Sequence, residues 1–123
     1  MLNEAYDMVK EFQKEAKQPI GITPHPLSAE RLKLRQKWIQ DELDEFVNGE
    51  NVYKQADAII DLMYYALGAL VEMGIKPDEL FELVDKYNKK KLLKAQFNEE
   101  GKVLKPNGWH HPDDEIKAII DKM

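Results

Sequence analysis

The chain has 123 residues, enough for one hydrophobic core and not for two. Hydrophobic residues make up 43% and charged residues 33%, a globular composition that excludes a disordered or fibrous chain. Lys and Arg number 18 against 23 Asp and Glu, a net charge of −5, without the obvious basic excess that a protein holding nucleic-acid phosphates normally shows.

An acidic chain holds an anionic ligand only with a cation between them, which puts a metal ion among the expectations. The absence of cysteine excludes disulfides, thiolate metal sites and cysteine nucleophiles, and fits a reducing compartment. The first residues, MLNEAYDMVKEF, lack the basic start and apolar stretch of a secretory signal. The longest apolar run, residues 58–71, is too short for a bilayer and contains Asp61. A cytoplasmic protein without membrane or nucleic-acid partners is expected.

In chain order, a first helix is predicted over residues 3–16, with Tyr6, Val9 and Phe12 at helical spacing. Pro19, Gly21, Pro24 and Pro26 then impose a loop. Ser28 is placed to N-cap a second helix running to about Asn48, where Gly49 stops it. A third helix spans Val52 to Met73 and ends at Gly74, and Pro77 with Asp78 and Glu79 opens a fourth that reaches about Leu93. A loop-rich tail, residues 97–112, precedes a short helix over 113–122. The fold class expected is all-α: one domain over residues 1–123, an antiparallel bundle of about four main helices with a C-terminal loop and short helix.

The third helix is apolar almost all round from Ile59 to Val71, which predicts burial on every side. Asp61 then starts near or within the core, where an unpaired carboxylate needs a metal ion, an arginine or a helix N-terminus beside it. Asp57 lies one turn earlier on the same face. On the second helix Leu32, Ile39, Leu43 and Phe46 form a stripe, with Arg35 and Glu42 in or beside it. Glu45, three residues after Glu42, approaches the same point, while Asp41 and Asp44 project away. Facing carboxylates from consecutive helices make an oxygen cage suited to Mg²⁺, which keeps waters and takes phosphate oxygens as further ligands. Each element alone has a plainer explanation, since E-x-x-E is common on solvated faces and a buried Asp can be a hydrogen-bonded structural residue. A ferritin-like di-iron bundle needs E-x-x-H pairs, and His25, His110 and His111 all fall in loops.

Together these residues resemble the all-α nucleoside triphosphate pyrophosphohydrolases, the MazG-like and phosphoribosyl-ATP pyrophosphohydrolase-like superfamily. Its E-E-x-x-E element is similar to Asp41-Glu42-Leu43-Asp44-Glu45, with Asp for the first Glu. The Asp of its E-x-x-D element matches Asp61, and its N-x-x-K element matches Asn88 and Lys91. The tail from Gly101 to Asp113, with Trp109, and the upstream Thr23-Pro24 and Arg31/Arg35 resemble one subgroup. The departure is Ala58, where the pattern has Glu, and Asp57 is taken as the displaced ligand.

The resemblance implies a Mg²⁺ ion (Mn²⁺ the alternative) held by Glu42, Glu45, Asp57 and Asp61, with water attacking the α-phosphorus and pyrophosphate leaving. Glu42 or Glu45 would orient or deprotonate that water, Arg35, Lys91 and Lys105 would neutralise phosphate, and Asn88 would offer its amide. Trp109 would stack on a base or pin the tail. The plainer alternatives are helix-dipole compensation for Lys91 and a structural pair with Glu42 for Arg35. The resemblance also implies a homodimer or dimer of dimers. Two rival functions stand beside hydrolysis of a (d)NTP: phosphoribosyl-ATP hydrolysis, and non-catalytic nucleotide sensing after loss of the ligand at Ala58.

Overall fold

The computed structural model describes residues 1–94 and 96–123. The described residues are all-α: α1 (Leu2–Glu15), α2 (Ala29–Asn48), α3 (Val52–Met73), α4 (Asp78–Lys91) and α5 (Asp113–Asp121), with a 3-10 turn over Leu92–Lys94. Their one β feature is an isolated bridge between Phe97 and Val103. Two compact units divide the chain, Met1–Lys76 and Pro77–Met123. No single described helix is long and apolar enough to cross a membrane.

The first unit is built on α3, which packs against both α1 and α2. Tyr6 and Val9 of α1 meet Val71 in the core, with Ile20, Leu67 and Leu70 against them. The third inward position of α1 is Gln13 and not Phe12, which is 54% exposed. Gln13 is tolerated there because its amide donates to the Pro19 carbonyl at 3.2 Å and its oxygen accepts from Arg35 Nη2 at 3.2 Å.

Helix α1 ends in a Schellman arrangement without glycine: Lys17 takes φ 57°, Gln18 N–H reaches Gln13 O at 2.8 Å and Lys17 N–H reaches Lys14 O at 3.2 Å. Helix α3 ends the same way at Gly74, φ 74°, with Ile75 N–H on Leu70 O and Gly74 N–H on Val71 O. The proline-rich connector supplies further donors to this end, Gly21 N–H to Val71 O at 2.9 Å and His25 N–H to Met73 O at 3.0 Å. A Cβ at Gly21 would lie 2.5 Å from the Gly74 nitrogen, so the two backbones approach closely because neither residue has a side chain.

Ser28 caps α2 by accepting from Arg31 N–H, and Asn51 caps α3 by accepting from Lys54 N–H. The short 49–51 turn makes α2 and α3 an antiparallel hairpin. Two expectations about this pair are corrected. Helix α3 is not buried all round, since Ile60 (60% exposed), Met63 and Tyr64 face outward. The apolar stripe on α2 is only half covered, with Leu32 and Leu43 exposed. The reason is common to both: α1 and α2 cover two sides of α3 within this unit, and a third side of apolar residues is left over.

The buried face of α2 is polar instead. Arg31 donates to Glu72 Oε1 from Nε at 3.0 Å, and Arg35 Nη2 lies 3.6 Å from the same oxygen. Glu72 is 2% exposed. Both guanidinium groups lie over the Trp38 ring, at 5.5 and 5.1 Å. Arg35 therefore pairs with Glu72 and not with Glu42.

In the second unit α4 begins after Pro77 with Asp78 and Glu79 in its first turn and ends with Lys89, Lys90 and Lys91, charges that complement the helix dipole. Asn98 closes a small turn by accepting from Glu100 and Lys102 N–H. Tyr87 OH donates to Glu115 Oε1 at 2.7 Å, joining α4 to α5.

Glu72→Ala would strand the buried Arg35 and is expected to cost about 3–5 kcal/mol in urea unfolding. Lys117→Ala, which breaks the exposed Lys117–Asp121 pair, should change stability by less than about 1 kcal/mol. Similar losses in the two variants would refute the central role given to Glu72.

Candidate active site

The clamp on Glu72 sets what faces what along the hairpin. Moving down α2 from Arg31 and back up α3 from Glu72 in equal steps brings Arg35 to Gly68, then Trp38 to Tyr65, then Glu42 to Asp61. Each pairing is observed. A Cβ on Gly68 would meet Arg35 Nη1 at 2.7 Å and would also strike Gln13. The rings of Trp38 and Tyr65 are 6.1 Å apart, and the charge of Asp61 acts on Glu42. The next step sets Glu45 level with Ala58.

A cavity of about 410 Å³ opens along this seam, within the first unit. Gln13 and Arg35 line one end, Glu42 and Asp61 the other, and Trp38, Tyr64 and Tyr65 the walls between. That volume lies within the range of small-molecule sites.

At the acidic end Glu42 is the perturbed group. Burial pushes its carboxyl above the usual carboxylate range, followed by a hydrogen bond and charge from Glu45 and then by the charges of Asp61 and Asp57. Its Oε2 is buried without a hydrogen-bond partner. None of Glu42, Glu45, Asp57 or Asp61 joins an ion pair among the described residues; those pairs involve Glu72, Asp85, Asp113 and Asp121. As they stand, no three carboxylates or imidazoles among the described residues converge closely enough to hold a metal ion. On α3 the buried position is Ala58, and Asp57 lies exposed on the flank. Asp41, Asp44 and Glu45 are all exposed, and of the three Glu45 is the one that acts on Glu42.

At the other end burial lowers the pKa of Arg35, against the attraction of Glu72. It forms part of the cavity wall, unlike a flexible surface cation. The remaining expected residues belong to the second unit. Lys91 Nζ donates to Asn88 Oδ1 at 3.0 Å and lies 5.5 Å from the centre of the Trp109 ring. Trp109 meets Tyr87 edge to face at 6.0 Å, so it pins the tail to α4. Lys105 is exposed on the loop.

Four residues that line the cavity, Gln13, Trp38, Tyr64 and Tyr65, were not among the expected site residues. Two carried a signal: Trp38 lies one turn before Glu42, and Tyr65 one turn after Asp61, each on the same face as its acid. Gln13 carried none, because its neighbour Phe12 fits the apolar spacing better.

No curated protein sequence matches the chain. Residues 9–88 match the family model described as phosphoribosyl-ATP pyrophosphohydrolase. The match takes in both ends of the cavity and extends to Asn88, with Lys91, Lys105 and Trp109 beyond it. Covering more than half of an all-α chain, with the acids of α2 and α3 inside it, this match shows that the protein belongs to the phosphoribosyl-ATP pyrophosphohydrolase family of MazG-like pyrophosphohydrolases.

Proposed function

We propose that the chain hydrolyses a nucleoside triphosphate, or a close relative, between the α- and β-phosphates to give the monophosphate and pyrophosphate with Mg²⁺ as cofactor. The observation that carries this is the pair Glu42 and Asp61, on facing helices at one end of the cavity and in no ion pair among the described residues, with Glu45 and Asp57 close enough to act on Glu42. The orphaned Glu42 oxygen and an all-carboxylate donor set suit a hard cation. Glu42, Glu45, Asp61 and, from the flank, Asp57 would hold it, and its chemistry when bound is to neutralise phosphate charge and favour departure of pyrophosphate.

The side chains supply the rest. Glu42 or Glu45, whichever carboxylate is left partly free of metal, would take the proton of the attacking water. Trp38 and Tyr65 keep bulk water from the middle of the cavity. Outward-facing Ile60 and Met63 suit a second copy of the chain, and a homodimer or dimer of dimers is part of this proposal. The description of the matched family favours phosphoribosyl-ATP as a second substrate reading.

Pyrophosphate release should be measured with Mg²⁺ on the four dNTPs and on phosphoribosyl-ATP. Turnover of dNTPs supports the main reading, turnover of phosphoribosyl-ATP alone the second, and binding without turnover a sensor. Asp61→Asn and Glu45→Gln should each lower kcat by at least about 100-fold with helicity retained, the scale of losing one electrostatic contact to the transition state. Asp41→Asn should stay within about threefold, as expected of an exposed acid off the site. Equal losses at Asp41 and Glu45 would place the metal on the wrong face.

Glu42 also ties the site to stability. Its raised pKa means that the folded chain holds this proton more tightly than the unfolded chain. Without a divalent cation, stability should fall as pH rises from the ordinary carboxylate range through the raised value. Melting scans with chelator from about pH 4 to about pH 8 should show that fall, and Glu42→Gln should flatten it. Added Mg²⁺ should restore the wild-type melting temperature at the upper end and leave Asp61→Asn unchanged. A wild-type curve with the same slope as Glu42→Gln would refute the assignment.

A further inference from the structure

The end of the cavity away from the acids holds chemistry that phosphate hydrolysis does not use. Arg35 and Glu42 are two turns apart on α2, about 10 Å along the helix axis. That is a span in which a sugar can separate a phosphate at one end from a base at the other. The walls over that span are aromatic, from Trp38 and Tyr65, and suit the faces of a heterocycle.

The floor itself is polar, buried and one-sided in its hydrogen bonding. Gln13 and Arg35 are 4% and 5% exposed. The Gln13 oxygen accepts from Arg35 Nη2, and one hydrogen of its amide nitrogen goes to the Pro19 carbonyl. An amide nitrogen carries a second hydrogen, and a guanidinium carries five and accepts none. Arg35 Nε is enclosed by protein, and the guanidinium's terminal nitrogens are the ones beside Gly68 and Gln13. The capacity left at this floor is therefore for donation, from the Arg35 guanidinium and the second Gln13 N–H, and a ligand that satisfies it must bring acceptors.

Resting on the nucleotide reading above, we propose that the Gln13–Arg35 floor reads the nucleobase and selects one whose edge carries two adjacent acceptors. Guanine has such a pair in O6 and N7, and cytosine has one in O2 and N3. Adenine pairs each edge acceptor with an amino donor or a C–H, and thymine sets an N–H between its two carbonyls. Gln13 and Arg35 are thus specificity-determining residues, remote from the reacting phosphorus. Gly68 belongs with them, because any side chain there would occupy the space both need.

The test is calorimetric binding of dGMP, dCMP, dAMP and dTMP to the full chain with Mg²⁺ present. Either dGMP or dCMP should bind at least about 10-fold more tightly than dAMP and dTMP, the worth of one good bidentate pair. The order of the first two assigns purine or pyrimidine. Gln13→Glu keeps an oxygen for Arg35 and removes the N–H, and should shrink the gap to within about threefold. Equal binding of all four, tightest binding of dAMP or dTMP, no binding of any, or a gap that survives in folded Gln13→Glu would each overturn the proposal. If Gln13→Glu does not fold, the wild-type ranking decides alone. A protein that keeps the ranking and turns over no triphosphate refutes the hydrolase reading and leaves base selection standing. Turnover with no ranking does the reverse.

Discussion

A buried carboxylate, Glu72, governs the arrangement of the first unit. Moving it out of water is costly, and Arg31 and Arg35 offset that cost only if they reach it from α2. Any slip of α2 along α3 separates these charges in a dry place. Apolar packing between two helices is forgiving of such slips, because one aliphatic contact replaces another. The ion cluster is not forgiving, and it determines which residues face each other further down the hairpin.

The consequence for chemistry is a cavity with two unlike ends. Next to the clamp the polar groups are donors, cationic and already mostly engaged by their neighbours. Two turns away they are carboxylates with nothing to balance them. A molecule anionic at one end and rich in acceptors at the other fits that polarity once a cation joins the acids. The aromatic stretch between carries no charge and separates the two fields.

Much of this was legible in the sequence, and the parts that were not share a cause. Ser28, Gly49, Gly74 and Pro77 mark helix ends through local capping chemistry, so the limits of α2 and α3 follow from a few residues each. The acids stood out because Asp61 interrupts an apolar helix. Properties that depend on a partner did not show. Periodicity picks Phe12 over Gln13 because it cannot know that a buried amide will find Pro19 and Arg35. It offers Arg35 only Glu42, on its own helix, as a structural partner, when the partner found is Glu72 on the next one. Lys17 adopts a left-handed turn that glycine would have announced. The all-round apolar α3 predicts cover on every side, and α1 and α2 supply only part of it. The facing of Glu42 with Asp61 was expected from acids on consecutive helices, and the 49–51 turn is the pivot that sets it.

Each residue added to a helix advances its face by about 100° and its length by 1.5 Å. With the arginine clamp fixed at the far end, a residue added to or removed from α2 or α3 between the clamp and the acids would turn Glu42 or Asp61 off the seam while leaving the clamp closed. A change of length in the 49–51 turn leaves both of those helical stretches as they are. The number of residues separating clamp from acids is therefore held more tightly than the length of the loop that joins the two helices.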